Sequence, residues 1–271
     1  MTINWSVTPD ANKQGIAAYH QSTNTSGIVA TVTYSNLHNS YVLDSSGQKH
    51  LISKIVRQFS NLNKEISWGS KNTWNLMFKE AGVPNSDQFL PEGNDNTSFL
   101  QINTDPSAGA MYCGANSLTV ADQYFDEHGN LIDPTGGYYV VSSLNHTGLN
   151  IEEAGGTQVS PVPVLGSSVS VLSNGNLGAT NENVDCPSNS TNDSWDNINS
   201  PYFYWGCGLL KITGASPTLI FSTHSNEAGR QSFDSFWFTI NTKLPMAPVT
   251  HLTTQVNYHY DTFYFFFQII I

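Results

Sequence analysis

Aromatic side chains beside a long polar segment carry the clearest binding chemistry in this sequence. The segment 181–200 is rich in Asn, Ser and Asp and contains Trp195, and Tyr202, Tyr204 and Trp205 follow it closely. Aromatic rings can stack on sugar rings, and neighbouring Asn and Asp side chains can hydrogen bond to ligand hydroxyl groups. We therefore predict that these four residues contact a ligand or a partner chain. Packing in the protein core, or at an interface between chains, is the alternative explanation for the same aromatic residues.

Oxygen-bearing side chains form two further groups that could hold Ca²⁺, which prefers hard oxygen ligands. The first group is Asp122, Asp126, Glu127, Asn130 and Asp133, and the second is Asp185, Asn189, Asn192, Asp193 and Asp196. Neither group has the residue order of an EF-hand loop, and acidic turns are common in a chain this rich in Asn and Asp. Ca²⁺ is thus kept as a candidate metal, and no cofactor is predicted.

Catalytic motifs are missing from the sequence. It contains no HExxH zinc motif, no GxSxG nucleophile motif and no phosphate-binding P-loop. The adjacent Glu152 and Glu153 would point to opposite faces of a strand, so they are a poor catalytic pair, and a loop position is favoured for them. We predict that the protein is not an enzyme. A hydrolase with a site assembled from distant loops is the less favoured alternative.

The three cysteines, Cys113, Cys186 and Cys207, form no CxxC pair and no zinc-type spacing. Cys186 and Cys207 could form a disulfide bond, but three free thiols in a reducing compartment is the favoured prediction. The first residues lack the basic start and apolar run of a secretory signal. These features predict that the protein is found in a virion, an inclusion or the cytoplasm of the producing cell.

The distribution of charge is the most unusual global property of the chain. Residues 80–210, a run of 131 residues, contain fifteen Asp and Glu but no Lys or Arg, and the formal net charge of the chain is −11. Because nucleic-acid affinity comes mainly from Lys and Arg that displace counterions, we expect no direct nucleic-acid partner. The apolar segment 262–271 is shorter than the ~20 residues of a membrane-spanning helix, so no membrane span is predicted.

Hydrophobic periodicity predicts strands and helices in the first third. Residues 27–36 alternate apolar and polar side chains, which is typical of a half-buried strand. A hairpin is predicted from 41–43 and 50–52. A short amphipathic helix is predicted over 51–62, and a second helix over 71–81. The helical spacing over 51–62 involves Ile52, Ile55, Val56, Phe59 and Leu62.

From residue 110 onward, short strands separated by turn sequences dominate the pattern. The predicted strands are 110–113, 118–124, 137–144, 158–165, 168–172, 202–212, 218–222, 232–241, 251–258 and 262–271. Many short strands and few helices predict an all-β, jelly-roll-like β-sandwich with one or two short helices in the first third. A barrel is the alternative. The absence of a linker predicts one domain, 1–271.

Two classes of function fit these features. The favoured hypothesis is a non-catalytic subunit of a virion shell, fibre or crystalline inclusion that self-associates, because Tyr, Phe, Asn and Ser build protein contacts without long charged side chains. The alternative is a recognition protein, either a lectin or a pore-forming toxin, whose ligand is a glycan or another protein. In either class, the predicted contact residues are Trp195, Tyr202, Tyr204 and Trp205, which would bind a ligand or form an interface.

Overall fold

The computed structural model describes residues 1–6, 11–13, 16–20, 27–38, 40–43, 48–64, 97–106, 110–113, 115–148, 150–186, 195–196 and 200–225. In these ranges the chain forms strands and one 3-10 helix at Phe203–Gly206. The prediction of an all-β fold is confirmed, and the jelly-roll topology stays a prediction. No helix in the same ranges has the length and apolar composition needed to cross a membrane.

Most of the strands are short, and turns join many of them. In chain order they are β1 (Thr2–Trp5), β2 (Ala11–Lys13), β3 (Ile16–His20), β4 (Ile28–Ser35), β5 (Tyr41–Leu43), β6 (Lys49–Leu51), β7 (Lys54–Lys64), β8 (Thr97–Ile102), β9 (Ala110–Cys113), β10 (Ala115–Phe125), β11 (Leu131–Ile132), β12 (Tyr138–Val141), β13 (Asn150–Thr157), β14 (Val159–Pro163), β15 (Val169–Val171), β16 (Leu177–Ala179), β17 (Gly208–Ile212) and β18 (Thr218–Ser225).

Antiparallel pairing organises these strands into sheets. The large sheet has the order β1-β4-β7-β10-β18-β13-β16-β15, and β11 pairs with the end of β10. A three-stranded sheet has the order β12-β17-β14, a four-stranded sheet has the order β2-β3-β8-β9, and β5 and β6 form a hairpin. One hydrophobic cluster takes buried residues from the large, three-stranded and four-stranded sheets, so these sheets share a core.

The period-two pattern over 27–36 correctly predicted strand β4. Val32 and Tyr34 are buried in this strand, while Thr31 and Thr33 between them are half-buried. The same alternation places Leu219 and Phe221 of β18 in the core. Strands of this kind bury one face and leave the other to solvent or to a covering loop.

The predicted helix over 51–62 is wrong, because these residues belong to β6, a short connection and the long strand β7. Backbone pairing with β4 on one side and β10 on the other satisfies the hydrogen-bonding groups of β7. Ile55, Arg57 and Phe59 alternate into the interior. Because the buried residue Arg57 is charged, a count of apolar residues alone does not reveal this alternation. The predicted helix over 71–81 lies outside the described residues, as do the predicted strands beyond residue 225.

Candidate functional site

The connection from β12 to β13, described over residues 142–148, carries a group of hydrogen-bonded polar side chains, in which Ser142 and Ser143 are buried and Asn145 is half-buried. Its backbone is fixed to two neighbouring segments, since the Leu144 N–H donates to the Gly206 carbonyl at 3.0 Å and the Glu152 N–H donates to the Asn145 carbonyl at 2.9 Å. Ser143 adopts a left-handed conformation with φ of 62°, which is uncommon for a residue other than glycine. This turn directs polar side chains toward the start of β13.

Asn183 secures the other side of the same connection. Its Oδ1 accepts a hydrogen bond from the His146 N–H at 2.7 Å, and its Nδ2 donates to the Leu144 carbonyl at 2.9 Å. The His146 Nδ1 also lies 2.7 Å from the Ala179 carbonyl oxygen. Asn183 is only 1% exposed, so its amide replaces water for buried backbone groups. The connection is therefore held in one conformation by side-chain hydrogen bonds as well as by the backbone.

Two carboxylates converge on the side chain of Asn145. Glu152 Oε2 accepts hydrogen bonds from Asn145 N at 2.9 Å and from Asn145 Nδ2 at 3.3 Å. Asp196 Oδ2 accepts from Ser143 Oγ at 2.8 Å and from the same Asn145 Nδ2 at 3.4 Å. We call Ser143, Asn145, Glu152 and Asp196 the Asn145 cluster. It combines neutral donors with acidic acceptors in one place, which is the chemistry needed to bind hydroxyl groups.

Asp196 is the acid of this cluster whose two hydrogen-bond donors, Ser143 and Asn145, are both neutral. Burial raises the pKa of Asp196 above its ordinary value, and the hydrogen bonds from Ser143 and Asn145 act in the opposite direction. Burial also raises the pKa of the Cys207 thiol strongly, and the negative charge of Asp196 adds to that increase. Cys207 is therefore a neutral thiol at physiological pH, and its Sγ donates to the Phe203 carbonyl at 3.0 Å.

Thr223 adds a buried hydroxyl beside this cluster. It lies directly opposite Glu152 in the pairing of β13 with β18, so the two side chains share the inner face of the sheet. Thr223 is 2% exposed, and its Oγ1 makes no hydrogen bond within the part of the chain that is described. Most buried polar groups have a partner, so this hydroxyl next to Glu152 marks a position where a further hydrogen bond can form.

Trp195 and Trp205 both hold the loop that follows β16. The Trp195 Nε1–H donates to the Val184 carbonyl at 2.8 Å, and the Trp205 Nε1–H donates to the Asn183 carbonyl at 3.0 Å. Trp195 is 1% exposed. Its ring covers Gly206, where an added Cβ atom would overlap the ring carbons. The two indoles therefore fix consecutive carbonyls and bring residues 183–184 next to the 3-10 helix.

The structure brings all four predicted aromatic contact residues to this region, with different exposures. Tyr204 and Trp195 are buried, whereas Tyr202 and Trp205 are half-buried and keep part of their surface accessible. Contact of these residues with a ligand stays a prediction. The hydrogen bond between Leu144 and Gly206 places the 3-10 helix against the connection that carries the Asn145 cluster.

Sequence reasoning missed Ser143 and Asn145 and rejected Glu152. Asn145 and Asp196 are 51 residues apart in the sequence, and no motif joins them. Glu152 and Glu153 lie in strand β13 and not in a loop, and they point in different directions: Glu153 Oε2 accepts from Asn174 Nδ2 at 2.7 Å and from Asn176 Nδ2 at 2.9 Å. Adjacent side chains of a strand point to opposite faces of the sheet, so Glu152 reaches Asn145 while Glu153 contacts Asn174 and Asn176.

The first proposed calcium cluster is divided among other roles. Asp122 pairs with the buried Arg57, Asp126 accepts hydrogen bonds from His128 and Asn130 within its own turn, and Asp133 accepts from Thr135. In the second cluster, Asp185 is exposed and Asp196 belongs to the Asn145 cluster, while Asn189, Asn192 and Asp193 lie outside the described residues. Across the described ranges, His, Cys, Asp and Glu form no group of three or more suited to a metal ion.

Cys186 and Cys207 are both buried and both free, so the disulfide bond considered between them is not formed. Cys113 ends strand β9, and its side chain lies outside the described part of the structure. Free buried thiols agree with the favoured reading of the cysteine pattern for these two residues. Cys207 directly follows the 3-10 helix Phe203–Gly206.

Comparison with known proteins gives a family and a fold. The family model described as Glucan-binding protein C matches residues 85–241, which is more than half of the chain. The glucan-binding protein C of Streptococcus mutans has a similar structure, with a TM-score of 0.60 and 19% sequence identity. The match covers 89% of this chain and 64% of that one, so this chain spans less than two thirds of that structure. At this identity the likeness shows the fold alone.

The adhesin domain of PrgB from Enterococcus faecalis is also similar. Its TM-score is 0.55 at 19% identity, and the match covers 86% of this chain and 67% of that domain. The same domain bound to DNA has a TM-score of 0.53 at 19% identity, and that match covers 83% and 70% of the two chains. The fold described above is therefore one that bacterial adhesins use.

These comparisons correct the predicted function. The favoured hypothesis of a virion-shell, fibre or inclusion subunit is wrong, and so is its capsid-like and viral character. The matched family and the similar structures are bacterial binding and adhesin proteins. The prediction that the protein has no direct nucleic-acid partner is also wrong. It rested on charge alone, and a domain of this fold has been solved bound to DNA. Net charge describes the whole chain, whereas neutral side chains and backbone N–H groups also contact phosphates locally. From the match over residues 85–241, the chain belongs to the glucan-binding protein C family.

Proposed function

We propose that this chain is a carbohydrate-binding domain of an adhesin that acts by binding and not by catalysis, with the Asn145 cluster and the neighbouring Tyr202 and Trp205 as its ligand site. The observation that carries the proposal is the convergence of two carboxylates, those of Glu152 and Asp196, on one amide donor, Asn145 Nδ2, while the Ser143 hydroxyl donates to the same Asp196 oxygen. Membership of the glucan-binding protein C family and the adhesin fold support it.

Sugar hydroxyl groups suit this cluster because each can donate and accept a hydrogen bond. They can donate to Glu152 and Asp196 and accept from Ser143 Oγ or Asn145 Nδ2. The half-buried rings of Tyr202 and Trp205 lie on the neighbouring segment and offer apolar surface to the flat faces of hexose units. Carboxylates repel anionic groups, so an uncharged glucan fits this site better than an acidic polysaccharide.

The test is a binding panel with the 271-residue chain immobilised and soluble dextran, other α- and β-glucans, an acidic polysaccharide and a DNA duplex as analytes. DNA is included because the similar PrgB domain was solved bound to it. We expect binding to at least one neutral glucan and recovery of that glucan with its chain length unchanged. Failure of every glucan to bind, or cleavage of the bound glucan, would contradict the proposal.

Matched variants locate the site. Asn145→Ala removes the amide that joins the two carboxylates, and Glu127→Gln changes an exposed acid in the turn between β10 and β11. Asn145→Ala removes one donor to a ligand hydroxyl group, and a neutral hydrogen bond is worth about 0.5–1.5 kcal/mol, so we expect this variant to weaken glucan binding up to about tenfold. Glu127→Gln should bind as the wild type does. Equal binding by both variants would place the ligand elsewhere.

A further inference from the structure

The placement of Lys and Arg residues limits which proteases can cut this chain in its folded state. Proteases of trypsin type bind the side chain before the cleaved bond in an acidic pocket and cut after Lys or Arg. Residues 80–210 contain neither residue, and this run includes strands β8 to β16 and the whole Asn145 cluster. We infer that the folded domain from β7 to β18 stays assembled in the presence of proteases that cleave after Lys or Arg. This inference goes beyond the proposed function and does not depend on it.

Exposed loops with small and polar residues are the preferred sites of proteolytic cleavage in folded proteins. This chain has such loops, since residues 127–130, 173–175 and 180–182 are exposed and each of these segments contains Asn. None of the three segments contains Lys or Arg. A protease of trypsin type therefore finds no side chain for its specificity pocket in these loops.

Every Lys and Arg of the described ranges lies in a β-strand. These residues are Lys13 of β2, Lys49 of β6, Lys54, Arg57 and Lys64 of β7, and Lys211 of β17. Arg57 and Lys211 lie inside their strands, and the other four lie at strand ends. Strand β7 is paired with β4 and β10, and β17 is paired with β12 and β14. Cleavage after Arg57 or Lys211 therefore requires local unfolding that breaks backbone hydrogen bonds on both sides of the strand.

Three of these cations are also held by contacts of their side chains. Arg57 is fully buried and paired with Asp122. Lys54 Nζ lies 3.9 Å from the centroid of the Phe125 ring, and Lys49 Nζ lies 4.4 Å from that of Tyr41. Each side chain must leave its partner before a protease can bind it. The rate of cleavage at Arg57 is thus set by the population of molecules in which the large sheet has opened.

The experiment is digestion of the full chain with trypsin, with the fragments identified by mass spectrometry and the fold followed by Trp fluorescence. A parallel digestion in urea gives the rates for the unfolded chain, after correction with a short peptide substrate for the loss of trypsin activity. We expect the bonds after Arg57 and Lys211 to be cut at least about a hundredfold more slowly in the folded protein. Cuts at strand ends should leave the native Trp fluorescence unchanged.

Two variants separate the placement of cations from general resistance of the fold. Asp185→Lys places a cation at an exposed position in the connection after β16, and Asp185→Asn removes the same charge without adding a cleavage site. We expect rapid cleavage after residue 185 only in Asp185→Lys. Asp122→Ala removes the partner of Arg57, so opening of the sheet becomes more frequent and cleavage after Arg57 should accelerate about a hundredfold or more.

Two results would overturn the inference. The first is cleavage of the folded wild type after Arg57 or Lys211 at the rate of the unfolded chain. The second is equal resistance of Asp185→Lys and Asp185→Asn, because the structure of the loops and not the placement of Lys and Arg would then protect the chain. Both results leave the proposed function standing, since glucan binding is measured separately by the panel of analytes.

Discussion

Arg57 and Asp122 form a bidentate ion pair inside the large sheet. Arg57 Nε lies 2.7 Å from Asp122 Oδ1, and Arg57 Nη2 lies 2.9 Å from Asp122 Oδ2. The two residues are directly opposite each other in the pairing of β7 with β10, and the third guanidinium nitrogen donates to the Pro106 carbonyl at 3.1 Å. The pair therefore joins two central strands to the segment that connects β8 with β9.

Removal of one partner of this pair should destabilise the domain strongly. Asp122→Ala leaves the buried guanidinium without its carboxylate, and breaking a buried ion pair costs about 3–5 kcal/mol. The double variant Arg57→Met with Asp122→Leu should be closer to the wild type, because apolar pairs of similar volume often replace buried ion pairs without loss. Urea unfolding of the three proteins measures both values. A double variant less stable than Asp122→Ala would contradict this account.

Tyr124 extends the same network toward the three-stranded sheet. Its hydroxyl lies 3.1 Å from Asp122 Oδ2 and 3.1 Å from the Tyr139 hydroxyl, and burial raises the pKa of both tyrosines. Tyr124→Phe keeps the ring and removes these hydrogen bonds, so we expect a loss of about 1–2 kcal/mol in the free energy of unfolding. Tyr138→Phe, at an exposed neighbouring position, is the matched control and should change stability little.

Gly206 should not tolerate a side chain. A Cβ atom at this position would overlap the ring of Trp195, and overpacking in a closely packed region costs about 1–3 kcal/mol. Gly206→Ala should therefore lower the unfolding midpoint and shift the Trp fluorescence to longer wavelength as Trp195 becomes hydrated. Gly148→Ala is the control, because there the added methyl group meets only the flexible end of Glu182. Equal effects of the two substitutions would argue against tight packing at Gly206.

Acidification should stabilise the domain through Asp196. The pKa of Asp196 is higher in the folded protein than in the unfolded chain, so the folded state binds this proton more tightly. The stabilising contribution is complete below the ordinary aspartate pKa of about 3.9 and is lost as pH rises through the raised value in the folded state. Other carboxylates titrate too, so the measurement is the difference between the wild type and Asp196→Asn.

We expect Asp196→Asn to be more stable than the wild type at neutral pH, since it removes a partly buried charge and keeps a hydrogen-bond acceptor for Ser143. This difference should narrow as pH falls through the titration range of Asp196. Chemical unfolding at a series of pH values measures it, with Asp185→Asn as the control for net charge. A difference that stays constant with pH would show that Asp196 does not titrate differently in the folded protein.

Strand β4 and the segment over β6 and β7 show where sequence patterns succeed and fail. Residues 30–35 alternate apolar and polar side chains, so the period of the strand is visible. In β7 a buried Arg57 occupies an inward position, and the apolar residues around it also fit helical spacing. The partner that makes burial of Arg57 favourable is 65 residues away in the sequence, so no local pattern could indicate it.

By itself, the sequence determined the all-β class, the position of β4, the lack of catalytic motifs and the concentration of aromatic residues after the long polar segment. These properties depend on composition and on neighbours a few residues apart. Only the tertiary structure decided that Trp195 is buried, that Glu152 and Glu153 serve different neighbours, and that Asn145 lies between Glu152 and Asp196. The physical reason is that hydrogen-bond geometry and burial depend on which strands pair, and pairing brings together residues that are far apart along the chain.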